Sequence, residues 1–160
     1  MQNITIRKFE TKDAEAVSAL IAKTMRTTNV KDYPADVIES VINRLTPDNI
    51  IQRASWMHFY VVCYSDNIIG CGAIGSYWGK LDESSLFNIF VLPEYQGKGI
   101  GRKIIETLEQ DEYFLRAKRI EIPSSITASE FYKKLGYDYK NGVKIIDEEH
   151  HIPMEKFRQN

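Results

Sequence analysis

Several things are scarce in this chain, and each scarcity excludes a class of answer. It carries 2 cysteines, Cys63 and Cys71, too few and wrongly spaced for a disulfide framework or a zinc cluster. Free thiols in a reducing compartment are expected instead. No apolar run approaches the ~20 residues that a bilayer crossing needs, so no membrane partner is expected. The opening, Met1-Gln2-Asn3-Ile4-Thr5-Ile6-Arg7, alternates rather than building the apolar stretch of a signal peptide, and a cytoplasmic location is expected. Charge of one sign is missing too: Lys+Arg 21 against Asp+Glu 22 leaves a formal net charge of -1. Such a chain has no global field for holding nucleic acid, so any anion must meet a local site.

What is present is the profile of one globular domain over 1–160: 160 residues, 43% hydrophobic and 27% charged, with no repeat, low-complexity tract or linker. Ile4 to Phe9 reads as a strand. Thr11 is placed to cap a helix with the stripe Val17, Leu20, Ile21 and Met25, spaced for one buried face. A second helix is expected near Pro34, burying Val37, Ile38, Val41 and Leu45. Pro47 to Ser55 has no clear period, a short helix being one reading. Trp56–Tyr64 and Ile68-Ile69, joined by Ser65-Asp66-Asn67, should form an antiparallel hairpin. Leu86 to Leu92 is nearly all apolar and stopped by Pro93, which suits a central strand covered on both faces. A long helix with Ile104, Ile105 and Leu108 inward, a strand Arg119–Ile122, and a capping box at Thr127-Ala128-Ser129-Glu130 opening a helix that ends at Gly136 follow. Tyr137–Tyr139 and Ile152–Phe157 complete the sheet. The fold class is therefore α/β, a mixed central β-sheet flanked by helices on both faces.

Two glycine runs invite a nucleotide or phosphate reading. Gly70-Cys71-Gly72-Ala73-Ile74-Gly75 matches G-x-G-x-x-G, but no helical period follows it, as the dinucleotide motif requires. Its glycines fit a strand that another backbone or a ligand approaches closely. Gln96-Gly97-Lys98-Gly99-Ile100-Gly101 instead follows the buried strand and opens a helix, where unpaired amides and the helix dipole can cradle phosphate oxygens. Lys98, Arg102 and Lys103 stand at that helix start, where each exposed cation costs roughly 0.3–1 kcal/mol unless an anion binds. The pattern lacks the spacing of a P-loop.

Val91-Leu92-Pro93 followed by Gln96 to Gly101, together with Ala128-Ser129-Glu130-Phe131-Tyr132-Lys133-Lys134-Leu135-Gly136-Tyr137, resembles the GCN5-related N-acetyltransferase (GNAT) family. Its motifs there are V-x-P, Q/R-x-x-G-x-G/A and A-x-x-F-Y-x-x-x-G-Y/F. The resemblance implies an acyl-CoA N-acyltransferase fold and acetyl transfer from acetyl-coenzyme A to an amine. It further implies that the amides of Gln96, Gly97, Lys98, Gly99, Ile100, Gly101 and Arg102 hold the pyrophosphate. The main chain of Ile89, Phe90 and Val91 would pair with the pantetheine arm. Ser125 stands where many members carry an Asn that touches that arm. Tyr132 matches the usual general acid, and a phenol with pKa about 10 suits protonation of a leaving thiolate.

The base stays open among Glu121, Glu83, Asp82, His58 and water. Glu121 resembles the catalytic Glu of protein N-terminal acetyltransferases, and Leu86-Phe87-Asn88-Ile89 resembles the same subfamily. His150 and His151 are adjacent, hence on opposite faces of a strand and a poor metal pair; no metal is expected. An acceptor pocket is expected from the first two helices, the Trp78–Ser85 break and the C-terminal hairpin, with Tyr33, Trp56, Tyr77 and Trp78 as candidate linings. The acceptor is an amine-bearing small molecule or a peptide, and the chain a monomer or homodimer. Other classes are a non-catalytic acyl-coenzyme A sensor on the same scaffold, and a nucleotide binder using Gly70–Gly75.

Overall fold

The computed structural model describes residues 3–158. One seven-stranded sheet organises them, in the order β1-β2-β3-β4-β5-β7-β6. Its strands are β1 (Ile4–Lys8), β2 (His58–Tyr64), β3 (Asn67–Ser76), β4 (Glu83–Val91), β5 (Arg119–Ser124), β6 (Asp138–Tyr139) and β7 (Ile152–Phe157). All neighbouring pairs are antiparallel except β4 with β5. The helices are α1 (Ala14–Thr27), α2 (Ala35–Arg44), α3 (Pro47–Arg53), α4 (Ile100–Leu108), α5 (Glu112–Arg116) and α6 (Ser129–Lys134).

Two apolar cores lie on opposite faces of the sheet. On one, α1 brings Val17, Leu20, Ile21 and Met25 against Val61, Cys71 and Ala73, as its period requires. On the other, Ile104, Ile105 and Leu108 of α4 pack with Leu86, Ile120 and Ile122. Each such fully buried aliphatic side chain contributes roughly 1.5–3 kcal/mol. The mixed sheet with helices on both faces is thus the observed architecture.

Local departures have identifiable causes. Thr11 does not cap α1: Thr11–Asp13 is a 3-10 turn, and the Asp13 carboxylate takes the Glu10 N–H at 2.8 Å and an Arg7 N–H at 2.7 Å. On α2, Ile38 is buried, but Val37 and Val41 are only half-buried because they face a cleft. The long helix stops at Leu108, because Asp111 starts α5 by accepting the Tyr113 N–H. The capping box does not form either: the Thr127 N–H and hydroxyl both donate to Asp32, at 3.0 and 2.5 Å. The Ser125 hydroxyl accepts the Ala128 N–H instead, at 3.3 Å. Cys71 is buried and Cys63 half-buried, both as free thiols.

The first glycine run lies within β3. A Cβ on Gly72 would meet Ile104 Cγ2 at 2.6 Å, and one on Gly70 would meet the Phe90 carbonyl at 3.1 Å. These positions are bare so that α4 and β4 can approach.

Candidate active site

The parallel strands β4 and β5 pair only over Glu83–Arg119, Ser84–Ile120 and Ser85–Glu121. Beyond Ser85 they part, while β3 continues to pair with β4 as far as Val91. One edge of β4, including Ile89 and Phe90, is therefore free. The Val91 carbonyl on that stretch accepts from the Gln96 side-chain amide at 3.0 Å. At Asn88 the register against β3 slips and φ is 53°, a left-handed conformation that Asn tolerates better than most residues. Its carbonyl accepts from the Cys71 thiol at 3.2 Å.

The sequence element Gln96–Arg102 forms the loop and first turn of α4. Gly97 and Gly99 have φ of 76° and 82°, with nothing within 4 Å of where a Cβ would stand. Gly99 caps the helix in the left-handed conformation, with no side-chain capping bond. Among the described residues no acceptor is found for the N–H groups of Gly97 through Arg102, the Lys103 N–H being the first to bond, to the Gly99 carbonyl at 3.2 Å. Gln96 differs: its N–H already donates to the Pro93 carbonyl at 3.3 Å, and its side chain reaches Thr28 Oγ1 at 3.2 Å. It braces the loop against α1 rather than presenting an amide. Lys98, Arg102 and Lys103 are exposed and unpaired among the described residues. Gly101 lets α4 close on α6, since a Cβ there would lie 3.3 Å from Phe131 Cζ. Bare amides, open space and unmatched cations at one helix start fit a diphosphate.

Between the parted strands and α2 lies a cleft of 780 Å³. Tyr132 lines it from α6, only 6% exposed. Its hydroxyl has no protein partner among the described residues, yet is not sealed from the cleft. Burial pushes this phenol above its ordinary value, so it stays protonated. Ile89, Phe90 and Ser125 line the same cleft, whereas Val91 and the glycine loop lie beyond it along the chain.

The base candidates lie elsewhere. Glu121 is bound by Arg119 and by Lys140 Nζ at 2.9 Å. Glu83 faces Arg119 at 2.9 Å; burial works against its ionisation, but the bonds from Arg119 and Lys80 hold its carboxyl below the usual range, making it a weak base. His58 Nδ1 sits 2.8 Å from Asp111, which also takes the Tyr60 hydroxyl at 2.5 Å, a structural network on the α5 side. Asp82 lies outside the cleft lining, its carbonyl accepting the Lys118 N–H at 2.7 Å.

The remaining wall holds residues that sequence reasoning missed. Arg44, Arg53 and Asn88 line it, with Asp36, Glu148 and Glu149 as exposed carboxylates. Burial, and after it the charge of Arg44, lowers the Arg53 guanidinium below its ordinary value. Tyr33 is in the lining as expected, while Trp56, Tyr77 and Trp78 are not, Trp78 being 85% exposed. His150 and His151 do not face apart: His150 has φ of 65°, and both rings meet Tyr33, at centroid distances of 6.5 and 5.8 Å. Burial lowers His151 below its ordinary value. No group of three or more His, Cys, Asp or Glu side chains is arranged to hold a metal among the described residues, and none of their helices is long and apolar enough to cross a membrane.

Residues 55–139, more than half of the chain, match the family model described as an acetyltransferase (GNAT) domain. The chain is 33% identical over 100 residues to an uncharacterized N-acetyltransferase of Chlorobaculum tepidum, covering 62% of this chain and 60% of that one. It is 37% identical over 60 residues to the [ribosomal protein bS18]-alanine N-acetyltransferase of Haemophilus influenzae, covering 36% and 41%. The matches thus span less than two thirds of either relative. The PaiA N-acetyltransferase of Thermoplasma acidophilum, solved with coenzyme A, shares the fold at TM-score 0.80 and 19% identity, over 97% of this chain and 99% of that one. A GCN5-related N-acetyltransferase from Rhodopseudomonas palustris does so at 0.78 and 19%, over 99% and 98%.

Proposed function

The chain belongs to the GNAT acetyltransferase family, and on that footing we propose that it transfers acetyl from acetyl-coenzyme A to an acceptor amine by direct attack in the cleft. The observation that carries this reading is the Tyr132 phenol, without a protein partner among the described residues, in the lining of the cleft between the parted strands. A coenzyme A complex of the Thermoplasma relative and the ribosomal alanine acetylated by the Haemophilus one support the donor and the amine acceptor. The bound thioester supplies the electrophilic acyl carbon. Gly97 to Arg102 hold the diphosphate through main-chain N–H groups, helped by Lys98, Arg102 and Lys103. The free edge of β4 at Ile89 and Phe90, and Val91 beyond it, aligns the arm as an added strand, and main-chain donors there stabilise the oxyanion. Ser125, half-buried in the lining, contacts the same arm.

Tyr132 hands its proton to the departing thiolate, whose basicity resembles that of a Cys with pKa about 8.5. His151, kept neutral by burial, removes the ammonium proton directly or through water. Much of the acceleration is proximity of amine and thioester. The reaction needs no metal, and the chain works as one cytoplasmic domain.

Calorimetry with coenzyme A and thiol release with an amine panel test this reading. Tyr132→Phe should lower turnover about 100-fold while leaving donor affinity unchanged. The melting temperature should also hold, because the hydroxyl bonds to no protein group among the described residues. Equal turnover in the two proteins removes the phenol from the mechanism and favours the sensor reading.

A further inference from the structure

The acceptor wall holds two arginines that the fold itself does not use. Arg44 ends α2 and Arg53 ends α3, and both line the cleft. By contrast, Arg26 is matched to Glu39 at 2.8 Å and Arg119 to Glu155 at 2.7 Å. Neither Arg44 nor Arg53 is ion-paired among the described residues. The nearest polar contact of Arg53 is Asn88 Oδ1 at 3.5 Å, beyond a good hydrogen bond. Arg44, itself exposed, lines the same cleft as Arg53 and His151, and its charge disfavours a positive charge on either. Holding a guanidinium half-buried in a cleft that a second arginine also lines is unfavourable, and an anion seated between them reverses the sign.

Resting on the acetyltransferase reading above, we infer that Arg53 and Arg44 bind a carboxylate of the acceptor, which makes the acceptor a free α-amino acid. Two features narrow the class. A guanidinium offers planar paired donors that match a carboxylate fork, and Arg53 has spare N–H groups after its weak contact with Asn88. Position sets the second limit. Asn88 immediately precedes Ile89, the start of the strand edge assigned to the donor arm, so Arg53 stands beside the point of attack. The anionic group of the acceptor must lie within a few bonds of its amine. An α-amino acid meets that demand, whereas a peptide N-terminus has a neutral amide there and a polyamine has no anion. The exposed Asp36, Glu148 and Glu149 on the same lining do not neutralise either arginine.

The test supplies each amino acid alongside its amide and its decarboxylated amine, in thiol-release assays, with donor binding measured separately by calorimetry. The free acids should exceed their amides and amines by roughly 100-fold in kcat/KM, the scale set by losing a charge-assisted pair. Arg53→Gln should erase that preference by depressing only the free acids. Arg44→Gln should do the same more weakly, and Arg53→Lys should keep part of the charge effect but not the fork. Circular dichroism melting of each variant checks folding, and coenzyme A calorimetry checks that the donor site is intact. If donor binding is absent, the acetyltransferase reading fails. If the donor binds and acids, amides and amines are used alike, or none is used, the carboxylate assignment is overturned while the donor site stands. Equal losses on acids and amides in Arg53→Gln overturn it as well.

Discussion

Between Ile89 and Arg102 the molecule offers a ligand mostly main chain: a free strand edge and a run of unbonded amides around two left-handed glycines. The opposite wall, from α2 and the residues just before it, α3 and the segment before β7, offers side chains: Arg44, Arg53, Tyr33 and His151. A main-chain site is bound to its backbone path and accepts few substitutions at its turns. A side-chain site can be rewritten residue by residue without moving the backbone. The proposed donor half is therefore generic, and the proposed acceptor half is where this chain states its own preference.

The largest effect should come from contrasting the glycines of the two runs. Gly99→Val forces a β-branched residue into φ of 82°, where L residues pay roughly 1–2 kcal/mol, and distorts the phosphate loop. Donor affinity should fall about 100-fold for every acceptor, with a modest loss of stability. Gly72→Val should do the reverse. Its side chain would collide with Ile104, costing about 1–3 kcal/mol by overpacking, so Tm drops by several degrees. The donor affinity of the folded protein should barely change. Coenzyme A calorimetry and thermal melts read both, and equal binding losses would undo the division between the runs.

That contrast also shows what the sequence made legible. Gly97 and Gly99 are visible because left-handed turns leave a compositional mark, and Val91-Leu92-Pro93 because a buried strand that stops abruptly does too. Gly70 to Gly75 could be set aside by the missing helical period, although nothing in the letters says that Ile104 fills the space above Gly72. On the proposed acceptor wall the second helix and Tyr33 were expected, and the charged groups were hidden for a different reason. Arg44, Arg53 and His151 meet only through tertiary packing, and an arginine that ends a short helix reads as ordinary surface. The one faint signal was Asn88, a turn-prone residue inside an apolar strand, where the bulge occurs. Glu121 and Glu83 looked like bases because ion pairing across β4, β5 and β7 cannot be read from either residue alone. His150 and His151 were assigned to opposite faces on strand geometry, which the left-handed turn at His150 breaks.

A smaller effect tests whether the cations at α4 serve the ligand rather than the fold. Arg102 is exposed, unpaired and in the first turn, where the helix dipole disfavours it. Arg102→Gln should therefore raise the stability of the ligand-free protein by a few tenths of a kcal/mol, within the roughly 0.3–1 kcal/mol range of such terms. It should weaken coenzyme A binding by a few-fold, more at low salt than at high salt. Opposite signs in the melt and the titration are the expected outcome. A loss in both would make Arg102 a structural residue.

The smallest effect belongs to the proposed acceptor wall and comes from His151. Burial is the leading cause of its lowered pKa, reinforced by Arg44 and His150 and opposed by Asp147 and Glu149. The ordinary value is 6.5, so the unfolded chain takes up this proton before the folded one does. The linked stability is therefore fully present above 6.5 and is lost as pH falls toward the folded value. Denaturant midpoints should decline from about pH 7.5 to about pH 5.5, and His151→Asn should flatten that slope. A free amino acid bound at Arg44 and Arg53 places a carboxylate near the same imidazole, which favours its protonated form. Saturating ligand should then flatten the slope in the unmutated protein too, tying the pH response of this wall to the occupancy of its arginines. A slope indifferent to ligand would mean that His151 and the arginine pair belong to separate pockets.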